Sequence, residues 1–378
     1  MKTCFSSVLA FWVFSFTMNT YSQDGKKTTS LLFQNQDILS LKLEYSNKQV
    51  KRDTDKNNGI ETDLIYNFGD SWDTIPIALR ARGNFRRANC YFPPLKMYLK
   101  KDIVAKSLFK GQKKLKVVLP CLLQKRSNDD ILKEYLAYKI YEMVSKVHFK
   151  TRLVTMEYTD TRGEKSEIHP LAVFLPMDKL NEIYDNHDEE AFATRKPKKH
   201  QLKAILIEDD KKVAKRHGAK VMKRFVHPLN QAEVPSITNA FFQFMIGNTD
   251  FSTAYQHNQK LIFMNGKTRP LPYDFDMSGL VDASYAVVSN IQNKPLDITD
   301  VKDRKYRGFK RDLTALQKVR EMFLNKKPEI ITTLDGYKNH FEDSKNFQEA
   351  KNYILSFYTI LENNIEFTSQ IVQEARVK

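Results

Sequence analysis

A chain of 378 residues with 41 % hydrophobic and 28 % charged side chains is long enough for two bodies with their own cores. With 25 Phe and 17 Tyr it is too apolar to be disordered throughout, and its 12 Gly and 13 Pro exclude a collagen-like or low-complexity chain. The net charge of +16 favours polyanionic partners, but the basic clusters are scattered and carry no zinc-finger, helix-turn-helix or RNA-recognition signature.

In chain order, Lys2 and the apolar run 8–16 read as a secretory signal over 1–22, with Thr20 and Ser22 as small residues ahead of cleavage; an uncleaved anchor is the alternative. Export implies a secreted or periplasmic protein with no transmembrane helix once the signal is removed. Cys4 then leaves with the signal, so Cys90 and Cys121 form a disulfide candidate, against two separate buried thiols. A polar, flexible leader follows over 23–30. Period-two alternation predicts strands over 38–45, 62–66, 74–82, 95–99 and 114–119, with Arg82-Gly83-Asn84 as a turn.

Asp129 and Asp130 are positioned to cap a helix running to about 145, with Ile131, Leu132, Tyr135, Leu136, Ile140 and Val144 on its apolar positions. Strands are predicted over 152–158 and 203–207, with a turn at 160–163 and an insertion over 164–202. A helix over 235–246 leads to two short strands, 261–264 and 271–275, around Asn265-Gly266, a strong hairpin signal. Beyond 303 the chain is helical: Leu313, Leu316, Val319, Met322 and Phe323 share one face, and two more helices run to about 372. This order predicts an α+β protein with a sheet-rich first lobe, 31–207, and a mainly helical second lobe, 208–378.

The densest chemistry lies in 247–276. Asp250 follows the helix, Asn258 precedes a strand, and Asp274 and Asp276 end the hairpin. Phosphoryl transfer needs a group to orient the attacking hydroxyl and oxygen ligands to hold a divalent cation against the phosphates, and this order of side chains supplies both. An Asp or Asn in a turn is also an ordinary Asx cap, and that alternative stands beside the first. His257 has no second His at ligand spacing and reads as structural. No GxSxG, Walker A, HExxH or CxxC is present.

Several blocks recur together: Arg80-Ala81-Arg82-Gly83-Asn84, Phe92-Pro93-Pro94-Leu95-Lys96, Lys114 to Val118 before a helix with Glu134-Tyr135-Leu136, Met245 to Asp250, His257-Asn258, and Pro272-Tyr273-Asp274-Phe275-Asp276. In these the chain resembles the CotH-type (spore coat protein H-like) family of atypical secretory kinases, over roughly half its length. The resemblance implies a divergent protein-kinase-like two-lobe fold that transfers phosphate from ATP, with Mg²⁺ or Mn²⁺, to a Ser/Thr hydroxyl of an envelope protein or to a glycan. It further implies Asp250 as the catalytic carboxylate and Asn258 and Asp274 as metal ligands, assisted by Asp276. Lys96 would contact the nucleotide phosphates, Glu134 would pair with Lys96, and Arg80 and Arg82 would stand where a Gly-rich loop normally lies. The spacing of eight between Asp250 and Asn258, against five in ordinary protein kinases, and the absence of GxGxxG depart from the wider kinase pattern. The competing function is a catalytically degenerate binding protein on the same scaffold, whose basic surface holds an acidic envelope polymer or partner.

Overall fold

The computed structural model describes residues 29–52, 59–161, 197–289 and 296–377. The signal, nearly all of the leader and most of the predicted insertion lie outside the described residues. The first half runs α1 (Leu31–Gln34), β1 (Leu39–Tyr45), α2 (Asn47–Arg52), β2 (Ile60–Phe68), β3 (Ser71–Ala81), α3 (Asn84–Asn89), β4 (Leu95–Tyr98), β5 (Lys114–Val118), α4 (Ser127–Val144), β6 (Thr151–Asp160) and β7 (Lys198–Ile207).

The seven strands close into a barrel of order β1-β2-β3-β4-β5-β7-β6. Neighbours are antiparallel except β1 and β6, which pair in parallel from Leu39↔Val154 to Tyr45↔Asp160 and seal the wall. Closure leaves no unpaired edge, so no backbone donors are stranded there. Alternation decides the two faces: Leu41, Leu43, Leu79, Leu95, Met97, Leu115, Val117, Val154 and Leu206 fill the interior. The outward residues differ around the wall. Leu153, Ile205 and Ile207 are apolar and pack under α4. Arg80, Lys96 and Lys116 lie in register on β3, β4 and β5 and form a row of cations beside that covered patch.

The second half begins with α5 (Asp210–Arg216) and β8 (Lys220–Met222). Then come α6 (Glu233–Met245), β9 (Gln259–Met264), β10 (Lys267–Pro272), α7 (Leu313–Gly336) and α8 (Ser344–Glu362). Strands β8, β9 and β10 form a small antiparallel sheet. Asn265 and Gly266 both have positive φ, 52° and 72°, as the two-residue hairpin turn requires. Phe241 and Phe242 of α6, Phe323 of α7, and Ile354 and Phe357 of α8 join the buried face of α4 in one core. The chain is therefore mixed, sheet-rich first and helical second, and α4 belongs to both bodies.

Four predicted details are corrected. Gly83 (φ 73°) does not end in a simple turn but opens α3, the short helix that carries Arg86. Asp129 and Asp130 sit inside the first turn of α4, which begins at Ser127. Asp129 instead accepts the backbone N–H groups of Glu342 (2.8 Å) and Asp343 (3.1 Å) at the start of α8. The strand predicted from 203 begins at Lys198, so the last residues of the expected insertion pair with β6. The strand predicted to 275 stops at Pro272, because Asp274 turns into the left-handed region with φ 65°.

Candidate active site

The row of outward cations on β3 to β5 faces the end of the β9–β10 hairpin, and α3 and α4 close the sides. Asp250 lies in the loop after α6, where Gly247 (φ 61°) turns the chain. Its carboxylate is fixed by three donors. Asn258 Nδ2 reaches Oδ2 at 2.8 Å, Ser289 Oγ reaches Oδ1 at 3.2 Å, and His257 Nε2 lies 3.1 Å from Oδ1. Asn258 Nδ2 also donates to the Asp250 carbonyl at 2.9 Å. The amide nitrogen is thereby spent, and Oδ1 is the atom that Asn258 has for a cation. The bond to Asp250 raises the pKa of His257, so the ring holds its proton more tightly than free histidine.

Asn258 (φ 49°) and Asp274 (φ 65°) both occupy left-handed backbone, a cost of about 1–3 kcal/mol each where no glycine is present. They are tied together: Tyr273 N donates to the Asn258 carbonyl at 3.1 Å, and Asp274 N donates to the Tyr138 hydroxyl of α4 at 3.0 Å. Asp274 Oδ1 is buried without a hydrogen-bond partner. It stands 3.8 Å from both Arg82 Nη2 and Arg86 Nη1, beyond direct hydrogen bonding. Asp276 is buried; its Oδ2 accepts the Tyr285 hydroxyl at 3.1 Å and lies 3.7 Å from Arg86 Nε.

Arg86 is the cation at the centre. It donates to the Leu119 carbonyl at 2.9 Å and is held protonated by Tyr285, Asp276, Glu134 and Asp274 against the cost of its burial. Glu134 is buried on α4, one helical turn before Tyr138, and its Oε1 has no partner. Burial first, and Asp276 second, push its pKa up, so it favours the protonated acid. The cations beside Glu134 are Arg86 and Arg82. No ion pair joins Glu134 to Lys96 among the described residues.

Lys96 is half-buried, and its pKa is lowered by burial and by the neighbouring Lys114, Arg82 and Arg80. Arg80 stacks over the Tyr98 ring, 5.8 Å from its centroid, on the outer part of the row. Lys116 lies directly across from Lys96 and feels the charge of Asp274. Its Nζ is shut from solvent with no hydrogen-bond partner, between the rings of Phe149 (4.4 Å) and Tyr273 (4.3 Å). Burial, reinforced by Arg82, lowers its pKa to about 7. Arg86 and Lys116 were not among the residues expected from sequence. Arg86 follows the quoted Arg80 to Asn84 block by two positions, and Lys116 differs from Lys96 in lying under Phe149 and Tyr273, a matter of packing from distant segments.

A disulfide joins Cys90 and Cys121. It pins the end of α3 to the segment after β5, so that Arg86 and Lys116 hang from cross-linked chain. The donor set fits a divalent cation in part. Asp274 Oδ1 is an orphaned anionic oxygen and Asn258 offers an amide oxygen, whereas Asp276 Oδ2 is already engaged by Tyr285. No group of three His, Cys, Asp or Glu side chains gathers at metal-holding distance among the described residues. Neither a protein-family model nor a curated protein matches the chain.

Proposed function

We propose that this protein is an exported, metal-dependent phosphotransferase with a divergent kinase-like arrangement, moving the γ-phosphoryl group of ATP to a Ser/Thr hydroxyl of an envelope protein or a glycan. One observation carries the reading. Arg82, Arg86 and Lys116 bury nitrogens that have no hydrogen-bond acceptor, and Arg82 and Arg86 stand 3.8 Å from a buried Asp274 oxygen that has no hydrogen-bond donor. Orphaned buried donors are costly unless a ligand completes them. A polyphosphate supplies the acceptors, and a divalent cation held by Asp274 and Asn258 supplies charge neutralisation on the phosphates when bound.

Asp250 then has the acceptor hydroxyl to orient. The hydroxyl oxygen bonds to the γ-phosphorus, the bond to the β–γ bridging oxygen breaks, ADP leaves with that electron pair, and Asp250 takes the hydroxyl proton. His257, Asn258 and Ser289 hold the plane of that carboxylate throughout. The Cys90–Cys121 disulfide is consistent with an oxidising compartment, and no helix among the described residues is long and apolar enough to cross a membrane.

The engagement of Asp276 by Arg86 and Tyr285 favours a second reading, a degenerate scaffold that binds nucleotide or an acidic polymer without transfer. Two variants separate these. Asp274→Ala is expected to lose the thermal stabilisation that ATP and Mn²⁺ give the wild type, about 2.7 kcal/mol at a hundredfold excess over Kd. Asp250→Ala is expected to keep that stabilisation and lose transfer of label from ATP. An unchanged ATP-induced shift in Asp274→Ala would sink the assignment. Nucleotide binding with no transfer in the wild type selects the degenerate scaffold.

A further inference from the structure

A pocket of about 570 Å³ opens along the segment that follows Asp250. Its walls are residues 251–255, the segment 305–311, and Arg376 near the chain end. Three arginines dominate it. Arg307 donates to the carbonyls of Thr249 and Phe251, which flank Asp250 in sequence. Arg311 donates to Pro228 O at 2.5 Å and Leu229 O at 3.3 Å. Arg376 donates to the Arg307 carbonyl and stacks on Phe309, 4.2 Å from the ring centroid.

Each guanidinium spends only part of its five N–H groups on these carbonyls. Lys305 is satisfied by Glu374 at 2.5 Å, but no carboxylate lies within ion-pair distance of Arg307, Arg311 or Arg376 among the described residues. Burial lowers the pKa of all three, that of Arg307 to about 10, against the opposing field of Asp250 at Arg307 and of Glu233 at Arg311, so the pocket gathers positive charge that has no ion-pair partner among the described residues. At its rim, Phe225 and Tyr255 are 55 % and 66 % exposed and meet edge to face at 5.3 Å.

We propose that this pocket binds an acidic polypeptide segment of the acceptor, its carboxylates on Arg307, Arg311 and Arg376 and its chain crossing the Phe225–Tyr255 rim, so that a neighbouring hydroxyl residue reaches Asp250. This rests on the phosphotransfer reading only for the last step. Guanidinium forks match carboxylates in pairs, and Arg307 couples an occupied pocket to the backbone on either side of Asp250.

The test is fluorescence anisotropy on the full chain at physiological salt, with a labelled peptide of alternating Glu and Ser and its counterpart with Lys for Glu. The acidic peptide is expected to bind at least about tenfold more tightly than the basic one. Arg311→Gln and Arg376→Gln, each checked for unchanged thermal unfolding, are expected to weaken it about tenfold apiece, as loss of one charge-assisted contact implies. Equal affinity for both peptides, or no loss in either variant, overturns the proposal, and so does binding of a labelled acidic oligosaccharide where the peptide itself does not bind. Acidic-peptide binding without any ATP-induced stabilisation leaves the pocket standing and removes the phosphotransfer reading. ATP binding without peptide selectivity does the reverse.

Discussion

Lys116 is held at an energetic cost. Its ammonium lies between two aromatic faces with no acceptor, and burial has brought its pKa down to about 7 from an ordinary 10.5. The folded state therefore sheds this proton at lower pH than the unfolded chain does. Its stability is depressed below pH 7 and recovers as pH rises from about 7 toward 10.5. Lys116→Met is expected to stabilise the nucleotide-free protein by roughly 3 kcal/mol at pH 6 and to flatten that rise, as chemical denaturation across pH would report. A phosphate beside Lys116 favours the charged form, so ATP binding near pH 8 is expected to take up a proton. Calorimetry in buffers of differing ionisation enthalpy reads that uptake, and the Met variant abolishes it. Arg86 is the opposite case. It offsets Asp274, Asp276 and Glu134 at once, and Arg86→Met leaves Asp276 buried without its cation and Asp274 and Glu134 with Arg82 alone, an expected loss of about 3–5 kcal/mol in urea unfolding.

The elements that hold these side chains are short and depend on cross-links. Helix α3 spans six residues, too few to persist by its own propensity, and the Cys90–Cys121 bridge fixes its end. The bridged cysteines are 31 apart in sequence, so their joint replacement by Ala is expected to cost about 2–4 kcal/mol and to loosen nucleotide binding through Arg86. At the other side of the site, Gly247 ends α6 with φ 61°, and an added Cβ would overlap the Tyr353 hydroxyl. That tyrosine donates to the Lys302 carbonyl at 3.0 Å and lies against the Arg304 guanidinium, 3.8 Å from the ring centroid, so it has little freedom to yield. Gly247→Ala is expected to lower the melting temperature by several degrees, consistent with about 2 kcal/mol or more, and to disturb Asp250 three residues on.

Across the whole molecule, α4 is the clamp. One end of it binds the helical body through Asp129, whose carboxylate accepts Glu342 N, Asp343 N and, at 2.8 Å, Asn346 Nδ2. Its flank covers the apolar outer patch of the barrel, and it presents Glu134 and Tyr138 to the site. Asp129→Ala is expected to cost about 2–3 kcal/mol and to shift the unfolding of barrel and helical body together, since both lose the same strut. Separate transitions by circular dichroism and tryptophan fluorescence would contradict that coupling.

The strands, the helical stripes and the Asn265-Gly266 hairpin were legible from the chain because period two and period 3.6 are properties of local backbone geometry. Cysteine parity likewise pointed to Cys90 with Cys121, and the Asp250, Asn258 and Asp274 order placed three polar groups at one end of a hairpin. Lys96 and Lys116 show where that legibility ends. Both alternate with apolar residues on neighbouring strands, and nothing local distinguishes them. Closure of the barrel through β1 and β6, residues more than a hundred apart, and the packing of Phe149 and Tyr273 over one arc of its wall decide that Lys116 is desolvated and Lys96 is not fully so. The same packing turned Asp129 from the cap of its own helix into the anchor of a distant one. Periodicity follows from bonds between neighbours in the chain, whereas desolvation and charge pairing follow from what is packed opposite, and that is set only when the bodies meet.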